Sequence, residues 1–310
     1  MRYSDAKKHG TALLKSAGIE EAEVDAEYLL LNASGLERSG LFVKLFEEMP
    51  EDIALKYEEL LKKRSSHEPL QYILGSQEFM GYDFIVTGDV LIPRFDTEIL
   101  AELAIKRSLE DIRSLKTKDN TYRILDLCTG SGCVAVSVGL GTEKELKKER
   151  NVSVVLDVTA GDISDAAVAL AQKNLKLNKK ETDSGIFKFA VSDLFKEIPG
   201  SFNLITANPP YIVRNEIAEL MPEIREHEPH LALDGGDDGM DFYRKICAEA
   251  PGHLYKNGRL LMEFDDSQAE PVKEMMEREG FGEIHIHRDL AGLRRVIEGV
   301  LIGEQKCLES

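Results

Sequence analysis

The sequence predicts an α/β chain in which a doubly wound, mostly parallel seven-stranded sheet follows a small helical bundle. Residues 1–75 show helical spacing and almost no strand signal. After Asn120, short apolar runs alternate with helical segments, which is the pattern of parallel strands joined by crossover helices. The last two runs, EIHIHRD and RVIEGVLIG, are joined too briefly for a parallel crossover, so the final strand is expected to run antiparallel.

The N-terminal segment EEAEVDAEYLLLNASG repeats Val24, Tyr28 and Leu31 at helical intervals and ends on Gly35, a C-terminal stop. PEDIALKYEELLKKR places Pro50 at a first-turn position, has acids early and bases late, and stripes Ile53, Tyr57, Leu60 and Leu61 along one side. These helices hold no catalytic cluster, so packing or partner recognition is their expected role. From residue 76 to 93 the β-rich runs of EFMGYDFIVTGDVLIP predict a linking hairpin turning at Thr87, Gly88 and Asp89. RFDTEILAELAIKRSLEDI then reads as a helix capped by Asp96 or Thr97. The expected strands are YRILDL, VTAGDI, FKFAVSDLF, FNLITANPPY, GRLLMEF and the two closing runs, with helices at DAAVALAQKNLKLN, near Phe242 and from Ser267 to Glu279. The domain expectation is therefore 1–75, a bundle for substrate recognition; 76–93, the hairpin; and 94–310, the sheet domain.

Composition limits the function classes. The chain has 310 residues, 43% hydrophobic and 31% charged, ordinary for a globular protein with a large core. A net charge of −17 would repel a phosphate backbone, and the one dense run of bases, Lys144 to Arg150, alternates in sign and reads as a solvated face. Cys128, Cys133, Cys247 and Cys307 form no C-x-x-C pair, so neither a zinc site nor a disulfide framework is expected, and a reducing, cytoplasmic setting fits. No run is long enough to span a bilayer, and Glu309 in the terminal CLES stands where a prenylation box wants an aliphatic residue. Glu223, Glu226, His227, Glu228 and His230 match no zinc spacing, and a loop over the substrate entrance, shaped by Pro222 and Pro229, is expected there. His9, His67 and His253 are isolated and read as surface or packing residues.

The candidate chemistry lies at strand ends. In LITANPPYIV the two prolines after Asn208 cannot continue a strand, because each lacks a donor and has a fixed φ. Asn208 is thus held by stiff residues at the edge where open α/β sheets bind ligands. ILDLCTGSGC puts a turn with Gly130 and Gly132 between a strand and a helix, letting backbone approach a ligand. It fits neither the dinucleotide fingerprint nor the P-loop, so a nucleoside cofactor without a phosphate grip is preferred over a nucleotide. Asp162 ends the next strand, where an acid accepts ribose hydroxyls, with a helix N-cap as its structural alternative that Ser164 or Asp165 can fill. Asp193 and Leu194 end the third, where they can border an adenine ring.

With DLCTGSG, GDIS, SDLF and NPPY in this order, the chain resembles class I, Rossmann-like methyltransferases that use S-adenosylmethionine, and NPPY is the form found where a planar amide or exocyclic amine nitrogen is methylated. PLQYILG, LIPRFDTE, EPHLALDGGDDGMDFYR and DLAGLRRV narrow the resemblance, over nearly the whole chain, to the HemK/PrmC family of protein glutamine methyltransferases, which modify the Gly-Gly-Gln loop of peptide-chain release factors. The resemblance implies S-adenosylmethionine as cofactor, held by Asp126, Cys128, Thr129, Gly130, Ser131, Gly132, Asp162, Asp193, Leu194 and Asn208. It implies that the Asn208 side-chain oxygen and the Pro209 backbone oxygen each accept an amide N–H, that Pro209 and Pro210 fix that backbone, and that Tyr211 packs beside the amide. It implies a cytoplasmic enzyme acting on a protein, with no metal, membrane or direct nucleic-acid partner; a monomer is the default expectation. Phe95 stands where the family commonly has proline, Cys128 where it usually has glycine, and EFDDSQ replaces its usual stretch before Gln268; these departures bear on the fine shape of the cofactor pocket. The alternatives are a glutamine methyltransferase of a ribosomal protein, an adenine amino-methyltransferase on nucleic acid, and a non-catalytic binding protein.

Overall fold

A computed structural model describes residues 1–114, 120–149 and 154–302. Arg150, Cys307 and Glu309 lie outside the described residues. In chain order the elements are α1 (Tyr3–Ser16), α2 (Ala22–Ser34), α3 (Arg38–Lys44), α4 (Glu51–Ser65), α5 (Leu70–Leu74), β1 (Ser76–Phe79), β2 (Tyr82–Ile85), α6 (Glu98–Ser114), β3 (Thr121–Leu127), α7 (Cys133–Leu146), β4 (Val155–Asp162), α8 (Asp165–Asn178), β5 (Ile186–Val191), β6 (Phe202–Ala207), α9 (Pro222–His227), α10 (Asp241–His253), β7 (Leu254–Glu263), α11 (Ala269–Arg278), β8 (Phe281–Arg288) and β9 (Arg294–Leu301). Two compact units result, one of residues Met1–Ser76 with Leu220–Glu228, the other of Gln77–Glu219 with Pro229–Ser310.

In the first unit, Leu14, Leu29, Leu30, Tyr57 and Leu61 form the centre of the core. The Tyr57 hydroxyl donates to the Ala26 carbonyl at 3.1 Å, which satisfies a polar group that burial would otherwise strand. Gly35 stops α2 in the left-handed conformation at φ 66°. The expected inward face of α2 is corrected: Val24 and Tyr28 are exposed, and Ala22, Ala26, Leu29, Leu30 and Ala33 point inward. Small alanines let the helices approach closely, and a count of bulky residues does not register them. Asp25 joins that buried face because the equally buried Arg64 donates to it from Nε at 2.7 Å. Arg64 also donates from Nη1 and Nη2 to Glu223 at 3.2 Å each, and His67 lies 3.3 Å from the same carboxylate. The segment holding Glu223 was expected to be a loop; it is the short helix α9, started by Pro222 in its first turn, where a missing N–H costs nothing.

In the second unit the seven strands run β5-β4-β3-β6-β7-β9-β8. Neighbours from β5 to β7 are parallel, and β9 is antiparallel to both β7 and β8, as the short final connection requires. Alternate residues serve opposite faces. Ile124, Leu204 and Leu261 join one apolar layer with Leu100 and Val134, while Leu125, Ile205 and Met262 join another with Ile246 and Val272. With both faces covered, the strands read as near-continuous apolar runs. Strand order reverses between β3 and β6, so their carboxyl ends flank a switch-point crevice.

Two local expectations change here. The hairpin turns at Met80 and Gly81, not at Thr87 to Asp89, because Gly81 (φ 75°) and Met80 (φ 55°) supply the left-handed turn. The helix after Arg94 opens with a 3-10 turn, Phe95–Thr97, whose N-cap position is Arg94, so Asp96 and Thr97 lie inside the opening turn instead of ahead of it. Likewise Asp266–Gln268 is a 3-10 turn preceding α11, with Asp265 and Gln268 forming a reciprocal capping box.

Candidate functional site

The turn after β3 is held from below by a buried carboxylate. Asp126 accepts from the Thr129 hydroxyl at 2.7 Å and from the Thr206 hydroxyl at 2.8 Å, tying the turn to β6. Burial pushes the Asp126 carboxyl up to about 6, and the two threonines hold it from rising further. Cys128 lies in the left-handed region at φ 55°, which explains why glycine suits this position. Its thiol is pushed up by burial and by the nearby Asp162, Asp126 and Asp193, so it is an inert neutral group.

Gly130 and Gly132 differ in their reasons. Gly130, at φ 53°, has no atom within 4 Å of where a Cβ would stand and faces the cavity. Gly132, at φ 80°, would put a Cβ 2.8 Å from the Ala171 Cβ, so it permits α8 to pack against the turn and stands outside the cavity lining. Asn174, fully buried on α8, donates to the carbonyls of Ser131 at 2.8 Å and Ile85 at 3.0 Å and accepts the Ile85 N–H at 2.7 Å. One carboxamide thereby fixes the glycine turn and the strand β2 together.

Asp162 closes β4. Its Oδ2 accepts the Gly130 N–H at 2.8 Å and its Oδ1 the Ser164 N–H at 2.9 Å, while burial raises its pKa. Ser164 fills the N-cap of α8 by accepting the Ala167 N–H. Beyond β5, the Ser192 hydroxyl donates to the Leu194 carbonyl at 2.8 Å and supports Leu194 at φ 52°.

These residues surround a cavity of about 470 Å³. Its lining includes Asp126, Cys128, Thr129, Gly130, Ser131, Asp162, Asp193, Leu194 and Asn208. The rest comes from the segment after β2 (Gly88 to Leu91, Pro93, Arg94, Thr97), the starts of α7 (Cys133, Val134) and α8, Ser192, Pro210, Pro229, Leu231, Ala232 and, on α10, Phe242 and Lys245. The segment after β2 was missed as a wall because its sequence carries turn residues and no motif of its own; Pro93, within LIPRFDTE, was the available signal. The glycine cradle, the two carboxylates at strand ends and the apolar wall of Val90, Leu91 and Leu194 fit a nucleoside with a polar ribose and a flat base.

Asn208 follows Ala207, the last residue of β6, and its Nδ2 donates to the Thr97 hydroxyl at 3.2 Å. Pro209 is buried and, with Tyr211, stands outside the cavity lining. Tyr211 packs against the layer around Tyr243, and burial raises its hydroxyl pKa. Its carbonyl accepts from Gln268 Nε2 at 2.9 Å, and Gln268 also donates to the Gly239 carbonyl at 3.1 Å. Backbone bonds from Ile212 to Leu233 and from Gly235 to Ile212 complete the brace. The Glu263 to Gln268 stretch therefore acts on the backbone that presents Asn208; none of its residues lines the cavity. Phe95 is strongly exposed and also stands outside the lining.

Among the described residues, no helix is long and apolar enough to cross a membrane, and no group of three or more His, Cys, Asp or Glu side chains is placed to hold a metal ion.

Comparison with known proteins agrees with this geometry. Residues 5–75 match the PrmC N-terminal domain, and residues 112–237 match the methyltransferase small domain. The chain is 40% identical to a release factor glutamine methyltransferase of Geobacter sulfurreducens, over 92% of each chain. It is 36% identical to one of Cereibacter sphaeroides, over 97% of this chain and 99% of that one. The hMettl16 catalytic domain shares the fold, with a TM-score of 0.50 at 15% identity over 80% of this chain and 84% of that chain. The seven-stranded sheet, the nucleoside-shaped cavity and the near full-length likeness converge: the chain belongs to the release factor glutamine methyltransferase family, a group of S-adenosylmethionine-dependent enzymes.

Proposed function

We propose that this protein methylates the side-chain amide nitrogen of the glutamine in the Gly-Gly-Gln loop of peptide-chain release factors, and that it does so as a cytoplasmic monomer with no nucleic-acid partner. The observation that supports this reading most directly is Asn208, braced at the end of β6 and lining the same cavity as the glycine turn and Asp162. When bound, S-adenosylmethionine supplies an electrophilic methyl group on a sulfonium whose departure leaves a neutral sulfide.

The chain's own task is to prepare the amide. A carboxamide nitrogen is a poor nucleophile because its lone pair is delocalised into the carbonyl. Asn208 Oδ1 and the Pro209 carbonyl each accept one N–H, which turns the lone pair towards the cavity and favours pyramidal nitrogen; as the new N–C bond forms, the nitrogen gives up one of these two protons to solvent. Pro209 and Pro210 hold those oxygens, and Gln268 locks the Tyr211 carbonyl two residues further on. Such orientation is worth on the order of 7 kcal/mol. Asp162 and the Gly130 backbone would hold the ribose end of the cofactor, and Asp193 and Leu194 would border the base. The net charge of −17 suits a basic protein substrate and opposes a nucleic-acid one.

The test is peptide mass spectrometry of an unmodified release factor after incubation with the protein and S-adenosylmethionine. One added methyl on the glutamine of Gly-Gly-Gln, missing with Asn208→Ala, is expected. Methylation elsewhere, or none with cofactor binding intact, would overturn the substrate assignment.

A further inference from the structure

We infer that Glu263, acting through Thr97, sets which end of the Asn208 carboxamide faces the substrate, and is therefore a positioning residue of the reaction. This rests on the reading of Asn208 as an acceptor for the glutamine amide.

The placement follows from the sheet. Strands β6 and β7 are parallel with Ala207 opposite Met262, so the next residues, Asn208 and Glu263, leave the two strand ends side by side. Glu263 is only 3% exposed and does not line the cavity. Its backbone carbonyl is pinned by the Tyr243 hydroxyl at 2.9 Å, and its Oε2 has no hydrogen-bond partner. Thr97 and Asn208 are close enough to the carboxyl to oppose the rise that burial imposes on it. Thr97, itself buried, accepts from Asn208 Nδ2 at 3.2 Å.

Counting protons decides the orientation. An ionised carboxylate only accepts, a hydroxyl brings one proton, and a carboxamide nitrogen brings two. With Nδ2 turned towards Thr97 and the neighbouring Glu263, the carboxamide presents donors to acceptors, and Oδ1 is left for the cavity. In the flipped state Oδ1 would meet the carboxylate, acceptor against acceptor, in a buried place where water cannot relieve the conflict. A flipped Asn208 would offer N–H groups to the substrate amide and could not accept from it. Ionised Glu263 excludes that state. Protonated Glu263 becomes a donor and admits it.

Burial pushes the Glu263 carboxyl up to about 7, with Thr97, Arg295 and Asn208 opposing and Asp96 adding to the rise. The other ionisable groups around it are Tyr211, Tyr243 and Cys133, all pushed upward, and Arg295, raised by Asp289 and Asp96 against its own burial. None of these four changes charge near neutrality. Of the cavity carboxyls, burial raises Asp126 to about 6 and also raises Asp162. A Glu263→Gln comparison separates both from Glu263.

The experiment has two arms. In steady-state methylation of a release factor at about pH 8.5, Glu263→Gln and Thr97→Val are expected to lower kcat roughly tenfold or more, while KM and cofactor Kd stay within about threefold. Thr97→Ser, which keeps the hydroxyl, should recover most of the loss. The second arm needs no methyl transfer: the Asn208 side-chain amide resonances, assigned by their loss in Asn208→Ala, should shift with a midpoint near pH 7 and stay constant in Glu263→Gln. Unchanged kcat in Glu263→Gln, or Asn208 resonances insensitive to pH in the unsubstituted protein, would overturn the inference. Should the release factor remain unmethylated by the unsubstituted protein, the substrate assignment fails, and the resonance arm alone decides the role of Glu263.

Discussion

Asp162 Oδ2 accepts the Gly130 N–H at 2.8 Å, joining the end of β4 to the turn that follows β3. The same carboxylate retains lone pairs for ribose hydroxyls. Asp162→Ala is therefore expected to weaken S-adenosylmethionine by about 1.4–2.8 kcal/mol, or about 10- to 100-fold in Kd. Titration calorimetry checks this, and an unchanged Kd would remove Asp162 from the cofactor site.

Asn208→Ala should lower kcat by about a hundredfold or more and leave cofactor Kd within a few-fold, because the amide loses an acceptor while the cavity keeps its other walls. Single-turnover methylation of the release factor, with calorimetry alongside, separates the two effects. Near-normal turnover would place the accepting group elsewhere.

Gly130→Ala and Gly132→Ala should part company. At Gly132 the new methyl meets Ala171 at 2.8 Å at a positive φ, so stability should fall by about 1–3 kcal/mol. At Gly130 the space is open towards the cavity, and the larger loss should be in cofactor affinity, with about 1 kcal/mol of backbone strain. Denaturant melts and calorimetry on both variants test the contrast; equal effects on stability would contradict it.

Glu263 has an ordinary value of 4.5 and titrates at about 7 when folded, so the folded protein keeps a proton that the unfolded chain releases within that window. Stability is therefore lost as pH rises from the lower value through the upper one, by up to ~3 kcal/mol. Glu263→Gln should be more stable than the unsubstituted protein at about pH 8.5, and the difference should shrink at about pH 5. Urea denaturation at both pH values measures this. A gap that does not grow with pH would show that the carboxylate is not held above its usual range.

Arg64→Ala strands the buried Asp25 carboxylate and leaves Glu223 only its contact with His67, and about 3–5 kcal/mol of stability in the helical unit should go with it. Limited proteolysis should then cut faster between Leu220 and Glu228. Unchanged cleavage there would mean that α9 does not depend on Arg64.

The sheet and its connections were legible because periodicity and connection length depend on local sequence. FNLITANPPY stops where the prolines dictate, and β9 is antiparallel because Asp289 to Leu293 cannot cross a sheet face. The glycine turn was legible for the same reason. What the sequence could not show is contact between distant residues. Asn174 on α8 looks unremarkable in its own segment, and Thr97 and Glu263, noted only as a cap candidate and a departure from the family pattern, acquire their roles only when the fold brings them beside Asn208. The face of α2 was misread because alanines carry little weight in a count of large apolar residues, although they decide how closely helices approach.

The position of β9 shapes how the sheet domain can be completed. It is the last strand among the described residues, yet it sits between β7 and β8, giving each its antiparallel partner. Until Arg294 to Leu301 is in place, β7 presents an unpaired apolar edge, with Leu260 and Met262 on it, and β8 has nothing to join. A chain cut short after α11 would thus hold a nearly whole cofactor cavity on β3 to β6 beside an open strand that invites foreign strands. Nonsense or frameshift lesions late in the sequence are consequently expected to give aggregating protein instead of a weakly active enzyme.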